Sequence, residues 1–266
     1  LDDYTPLYEF TDGINVYVDG ELPDYVVKCK SAKEAEEKSS KDSENMYVYP
    51  VKFYKDFITI NNAFIGKSLL AEQTLTTYDL EKNKAEKLKA VSFFSGESQL
   101  TYFDKSYFLG TNAGYWIMNN RMKTPLKVSG NYQVQQLEIQ DILRIDFEKD
   151  YLIEKNENNC VYLSRTNKKI VYPFLEVSKL SDSKYEILFK DKNGKKIKRA
   201  VYKNGYVSGY NCFYEIEIYD LIFNKNTYFV YITNLIKKQK LPASLFNQNQ
   251  MYNLITFIKQ NGFITE

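Results

Sequence analysis

Alternation dominates the chain from Lys67 onward. Leu69, Ala71 and Leu75 are interleaved with Glu72, Thr74 and Thr76, a period of two that predicts a strand with one buried face. Apolar runs follow at 88–94, 100–103 and 106–118, the last broken by a turn at 110–114 ahead of Tyr115-Trp116-Ile117-Met118. Further strand-like runs occupy 160–164, 170–177, 184–190, 212–219 and 227–236. Asn193-Gly194 lies between the apolar runs at 187–189 and 201–202, the strongest short-range hairpin signal. Three stretches switch to helical spacing. Phe53, Phe57, Ile60 and Phe64 recur at intervals of 4, 3 and 4, which puts them on one face of a helix over 51–65 that Gly66 can end. A short helix is expected over 134–143, around Leu137 and Asp141. Met251, Leu254, Ile255 and Ile258 predict a helix over 248–261, capped by Asn247 and stopped by Gly262.

The first 45 residues behave differently. Short apolar runs at 14–18 and 25–27 read as a hairpin, and 31–45 is Ser, Lys, Glu, Asp and Asn with almost nothing to bury. This divides the chain into an N-terminal hairpin and polar loop at 1–45 and a main domain at 46–266. In the main domain about nine or more strands succeed one another through turns too short for parallel crossovers, so the sheet is antiparallel. A sheet that long must curl, close or split. The expected class is mainly β with capping helices: a strongly curved, incomplete antiparallel barrel, with the helices at 51–65, 134–143 and 248–261 covering its concave, apolar side.

Composition narrows the chemistry. The 266 residues contain no His, which removes Ser-His-Asp and Cys-His couples and His-ligated metal sites. No phosphate-loop, dinucleotide, zincin or EF-hand pattern occurs. Asp146, Glu148 and Asp150 alternate, as do Glu215 and Glu217, which is the usual mark of a strand's solvent face. Cys29, Cys160 and Cys212 form no C-x-x-C pair and read either as one disulfide plus a free thiol or as three buried thiols. No enzyme, cofactor or metal is expected. The net charge is +2, and the densest basic stretch, Lys192 to Arg199, straddles a turn and reads as a solvated hairpin, so nucleic acid is not an expected partner. No apolar run is long enough for a spanning helix. The abrupt, polar start at Leu1 suits either a cytoplasmic protein or a mature chain whose leader has been removed.

The excess is in aromatics: 24 Tyr, 17 Phe and 1 Trp. Strands favour these residues in any case, so a large filled β core explains them. A cavity for hydrocarbon explains them as well, since such pockets have apolar and aromatic walls and few polar groups.

At 114–151 the order of segments becomes distinctive. Gly114-Tyr115-Trp116-Ile117-Met118 is followed by Asn119-Asn120-Arg121-Met122-Lys123, then Leu126-Lys127-Val128-Ser129-Gly130, then Ile139-Gln140-Asp141-Ile142. This resembles the outer-membrane lipoprotein-sorting protein family, the LolA-like periplasmic carriers, in which a Trp-bearing strand, a short basic turn, a strand ending in Ser-Gly and an acidic residue opening a helix come in this order. Trp116, Ser129, Gly130 and Asp141 match those positions, and Leu241-Pro242-Ala243-Ser244-Leu245-Phe246 looks like the family's closing element. The resemblance runs over about 50–258. Asn120 stands where the family commonly has Pro, and 1–45 has no counterpart.

The resemblance implies an exported, periplasmic chaperone, monomeric, with its signal peptide removed and either soluble or lipid-anchored. It would take acyl chains of lipoproteins or lipids from an inner-membrane releasing complex and pass them to an outer-membrane acceptor. The candidate cavity residues, drawn from one alternating face of several strands, are Leu69, Ala71, Leu75, Phe93, Tyr102, Leu109, Trp116, Met118, Leu175, Phe189, Ile216 and Ile218. Phe53, Phe57, Phe64 and Leu137 are candidates for a lid whose apolar contacts are exchanged for acyl chains. The rival is a secreted or surface binding module with a packed β core and no lipid ligand. A contiguous apolar cavity would favour the carrier, and a filled interior the module. A hydrolase built on two carboxylates ranks behind both.

Overall fold

The structure, a computed structural model, describes residues 8–9, 15–16, 51–134, 137–143, 145–157, 159–166, 170–222 and 226–264. The chain divides into two units, Leu1–Val48 and Tyr49–Glu266. In the first, strand β1 (Tyr8–Glu9) pairs antiparallel with β2 (Asn15–Val16), Tyr8 opposite Val16. The partner expected for 14–18, at 25–27, and the polar stretch 31–45 lie outside the described residues, as does Cys29.

The second unit begins with α1 (Lys52–Asn61), which ends before Phe64, so the helix is shorter than the sequence spacing suggests. Its β-branched Ile58, Thr59 and Ile60 crowd the last turn. Six strands follow in a meander: β3 (Lys67–Asp79), β4 (Lys84–Gly96), β5 (Ser98–Phe103), β6 (Ser106–Thr111), β7 (Gly114–Asn119) and β8 (Leu126–Val128). A two-strand hairpin, β9 (Gln133–Val134) with β10 (Leu137–Glu138), leads into two four-residue helices, α2 (Ile139–Ile142) and α3 (Phe147–Asp150). The expected helix over 134–143 is thus half hairpin. Asp146 caps α3 by accepting from Lys149 N, so the acids at 146, 148 and 150 belong to a helical turn rather than a strand face. A second meander holds β11 (Tyr151–Glu157), β12 (Cys160–Arg165), β13 (Phe174–Ser181), β14 (Lys184–Lys190), β15 (Lys196–Val207), β16 (Tyr210–Asp220) and β17 (Thr227–Lys238). The Asn193-Gly194 turn joins β14 to β15 as expected, with Gly194 at φ +78°, a left-handed conformation that costs a residue with a Cβ. Helix α4 (Met251–Gln260) closes the unit, preceded by a short turn that Asn247 caps by accepting from Asn249 N and Gln250 N.

The two meanders join through β17 and β3 into one antiparallel sheet of 13 strands, ordered β11 to β17, then β3 to β8. The sheet is curved and unclosed, with β8 and β11 as its edges. Bulges at Ile153/Lys155, Lys179/Ser181, Phe189/Lys190, Lys203/Asn204 and Thr233/Leu235 add local bend and twist. The described pairings from β3 to β8 run without a register shift. The mainly β fold with capping helices is therefore the observed one.

The sheet has an inner and an outer face. Leu75, Ala90, Phe103, Phe108, Ile117, Leu175, Val177, Ile187, Phe189, Ala200 and Ile218 face inward and pack with α1, α2 and α3 in one apolar cluster. Leu70, Phe93, Leu100, Tyr107, Leu109, Trp116 and Met118 face outward and pack under α4. The C-terminal helix thus covers the face opposite to the one expected of it. Beyond β3 the outer face turns polar, with Lys203 bridging Glu215 and Glu217, Arg199 on Glu186, and Lys190 on Glu176. Stacked rings of Tyr78, Tyr228 and Tyr219 cross three strands there, at 4.6 and 5.3 Å between centroids.

Candidate functional site

The inner face is built in three zones. The first is aromatic. Phe57, fully buried on α1, meets Phe147 at 5.0 Å, Phe213 at 5.2 Å, Tyr185 at 5.4 Å and Tyr202 at 6.1 Å between ring centroids. Such edge and tilted pairs add roughly 0.5–1.5 kcal/mol each beyond the area they bury. Burial pushes the hydroxyls of Tyr54, Tyr151, Tyr202 and Tyr231 well above the ordinary tyrosine range, so all four stay neutral.

The second zone is a polar belt across the middle of the sheet. Ser92 Oγ donates to Gln73 Oε1 at 2.6 Å and shares a 2.8 Å hydrogen bond with Thr101 Oγ1. Gln99 Nε2 donates to Thr101 Oγ1 at 2.9 Å, and Tyr231 donates to Gln73 Oε1 at 2.9 Å. These side chains are buried, so the belt is a fully internal network that would be costly to break.

The third zone is ionic and pins the 137–143 segment to the sheet. Lys198 Nζ, on β15, donates to Asp141 Oδ2 at 2.7 Å and Glu138 Oε2 at 3.1 Å, and also to the Tyr172 hydroxyl, which in turn donates to Glu138. Lys198 lies 4.8 Å above the Tyr172 ring. Glu138 and Asp141 form a capping box on α2, with Glu138 N donating to Asp141 Oδ2 at 3.0 Å. Burial raises the Asp141 carboxyl above its ordinary value, against the pull of Lys198. For Lys198, burial alone would lower the ammonium, but the two carboxylates outweigh it and hold it above the usual range. Tyr172 is pushed up by burial and by the same carboxylates.

Empty space remains between these zones. A cavity of about 290 Å³ opens among the turns after β4 and β6, Gln140 and the start of α3, and is lined by Gln99, Gly110, Gly114, Tyr115, Gly130 and Lys149 among others. A second, of about 90 Å³, lies beside it, with Ile60, Ile142, Phe213 and Ile216 on its apolar side and Gln73, Asp141 and Thr233 on its polar side. The two share Phe64, Phe94, Gln99, Gln140 and Leu143 as walls. Most of the remaining concave side is filled by the protein's own side chains.

The sequence-predicted residues separate by face. Leu69, Ala71, Leu75, Leu175, Phe189, Ile216 and Ile218 are on the inner face, and Phe53, Phe57 and Leu137 pack onto it. Phe64, past the end of α1, packs at 4.9 Å on Phe94. Phe93, Tyr102, Leu109, Trp116 and Met118 are on the outer face under α4, so the twelve do not share one side as expected. The reason is the polar belt: Ser92, Gln99 and Thr101 occupy the inner positions of β4 and β5, so apolar alternation there marks the outer face. Of the predicted residues, Phe64 and Ile216 line the empty space. Gln140, Lys198 and Tyr172 were not anticipated as part of this side. Lys198 belongs to the basic run read as a solvated hairpin; residues 192–196 are exposed, but the Lys198 side chain is only 12% exposed. Strand alternation through Ala200 and Tyr202, which share its face, was the signal that could have separated it from its neighbours.

Cys160 and Cys212 are free thiols; Cys212 is buried on the inner face, and burial pushes its thiol up to about 11. Among the described residues no group of acids and cysteines forms a metal site, and no helix is long and apolar enough to cross a membrane.

An unclosed antiparallel sheet whose concave apolar side is capped by short helices defines a LolA-like fold. A solved LolA-superfamily protein from Nitrosomonas europaea superposes with a TM-score of 0.59 at 16% identity, over 75% of this chain and 99% of that one. A Vibrio parahaemolyticus domain described as an outer membrane lipoprotein-sorting protein gives 0.54 at 16% identity, over 73% and 96%. A DUF1329 family protein from Desulfovibrio piger gives 0.55 at 17% identity, over 76% and 99%. At these identities the likeness is one of fold. No family model and no curated protein matches the sequence.

Proposed function

We propose that this protein is a periplasmic carrier that holds acyl chains of lipoproteins or lipids against the inner face of its sheet and moves them toward the outer membrane. The observation that carries the reading is the concave apolar face capped by α1 and by the segments 137–143 and 145–150, in a fold shared with lipoprotein-sorting structures. The capped interior corresponds to an unloaded state, in which Phe53, Phe57 and Ile60 of α1 occupy space that a hydrocarbon would take. Exposing those three side chains costs roughly 5–9 kcal/mol, and burying about 12 methylenes gains roughly 10 kcal/mol. The two states are close enough for loading and release both to proceed. The carrier needs no catalytic group and no cofactor. Its partners would be a releasing complex at the inner membrane and an acceptor at the outer one.

The filled concave side favours a second reading, a binding module with a packed core and no lipid. Titration with a fluorescent fatty acid and a diacylated lipopeptide separates the two, together with mass spectrometry of lipids that co-purify. The carrier predicts saturable binding at micromolar protein and a retained lipid. Failure of both ligands to bind, with no lipid retained, leaves the module.

A further inference from the structure

The sheet splits part of the way along β16 and β17. Their ladder covers Glu215 opposite Ile232 to Tyr219 opposite Tyr228 and goes no further. The ladders on either side continue: β15 with β16 as far as Val207 opposite Tyr210, and β17 with β3 as far as Lys238 opposite Leu69. Each of these carries a bulge at the level where β16 and β17 part, at Lys203/Asn204 and at Thr233/Leu235. Bulges bend the strands that hold them, so the two strand pairs splay. Ser208 Oγ, on the turn between β15 and β16, accepts from Ile236 N at 3.1 Å across the gap. The gap is an open cleft of about 790 Å³ that shares no lining residue with either inner cavity.

The cleft has an apolar floor and a basic rim. Leu69 and Tyr210 line it and belong to the small cluster that contains Cys212 and Ile236. Lys67, Lys238 and Lys240 line it as well, and among the described residues no acidic side chain does. Elsewhere on the sheet the lysines have carboxylates: Lys237, on the other face of β17, pairs with Glu72 at 2.9 Å, and Lys190, Lys198 and Lys203 are paired too. Among the described residues no carboxylate pairs with the three at the cleft. Lys238 stands opposite Leu69 and shares its face, which directs it to the cleft. Lys67 is positioned by donating to Ala63 O and by lying 5.2 Å above the Tyr210 ring. Ser208 is exposed and keeps its hydroxyl proton to donate, since its oxygen is the acceptor for Ile236. Three converging cations repel one another, and an anion between them removes that cost and gains charge-assisted hydrogen bonds.

We propose that this cleft binds the phosphate of an anionic lipid headgroup. The ammoniums of Lys67, Lys238 and Lys240 and the Ser208 hydroxyl donate to the phosphate oxygens, and the first methylenes of the lipid lie against Leu69 and Tyr210. Charge complementarity selects the anion, and the apolar floor selects a lipid over a free phosphate. The site goes beyond the carrier reading and stands whether the helix-capped interior takes acyl chains or is packed.

Three probes, each below its micelle concentration, test it by calorimetry on the full chain: dihexanoyl phosphatidylglycerol, dihexanoyl phosphatidylcholine and glycerol phosphate. Phosphatidylglycerol should bind tightest. Lys238→Gln with Lys240→Gln removes two cations, and at about 5-fold per lysine it should weaken phosphatidylglycerol about 25-fold. Phosphatidylcholine, whose choline offsets its phosphate, should change far less. Both side chains are exposed, so the melting temperature should not move. Lys84→Gln with Lys87→Gln, at the far end of β4, makes the same change in net charge and should leave all three probes unchanged. No preference for the anionic lipid, or an equal loss in the Lys84 and Lys87 variant, overturns the site and leaves the carrier reading untouched. Glycerol phosphate binding as tightly as the lipid overturns the lipid and assigns the cleft to a soluble phosphate ester. Lysine-dependent phosphatidylglycerol binding in a protein that takes up no fatty acid supports the site and removes the carrier reading alone.

Discussion

Replacing Lys198 by Met tests what holds the 137–143 segment to the sheet. Met keeps most of the stem that packs on Tyr172 and Phe189 but removes the charge. Asp141, whose side chain is 4% exposed, and Glu138, at 19%, then face one another without a cation. Removing one partner of a buried ion pair typically costs about 3–5 kcal/mol. The cost should depend on pH. Asp141 already has a folded-state pKa raised by burial, so the folded protein binds its proton more tightly than the unfolded chain does. That contribution is fully present below the ordinary value of 3.8 and is lost as pH rises through the raised folded value. Without Lys198 the carboxyl rises further, so acid should rescue the variant. Urea unfolding at pH 5 and pH 8 gives the deficit at each, and the pH 8 deficit should be the larger. Replacing Asp141 and Glu138 by Asn and Gln in the same chain should restore most of the loss. A deficit below about 1 kcal/mol that is equal at both pH values would refute a buried, charged latch, because that is the range of an exposed pair.

Phe57→Ala should destabilise by about 3–5 kcal/mol in urea unfolding and should raise the affinity for a hydrophobic dye, since the void it leaves opens on the inner face. Leu109→Ala should destabilise by about 2–5 kcal/mol and leave fatty-acid affinity unchanged, because Leu109 packs under α4 on the outer face; a shift in affinity would contradict the separation of faces. Gly130→Ala should cost about 1–3 kcal/mol from the clash with Val171, and Val171→Ala in the same chain should recover most of it, as a double-mutant cycle would read.

Much of the fold was legible because local chemistry and tertiary structure agree. Asn193-Gly194 can hardly be anything but a hairpin, and Asn247 ahead of Met251, Leu254, Ile255 and Ile258 specifies a capped amphipathic helix. The side of the sheet each strand presents was harder. On β4 and β5 the rule that apolar means inward fails, because Gln73, Ser92, Gln99 and Thr101 satisfy one another inside and leave Phe93 and Leu100 to the outer face. Only polar partners on the two neighbouring strands, Gln73 and Thr101, make a buried Ser92 tolerable, and a period-two pattern carries no trace of that pairing. The amphipathic C-terminal helix was the available hint, since its apolar stripe needed a second apolar face somewhere.

The two edges of the sheet bear on how the protein behaves at high concentration. Edge strand β8 offers a neighbouring molecule only Leu126, Lys127 and Val128, and β11 carries a bulge at Ile153/Lys155 with Glu154, Lys155 and Glu157 exposed. Neither is a long, flat, uncharged template. A sheet this wide would otherwise invite strand-by-strand polymerisation into fibrils, and here each end terminates growth.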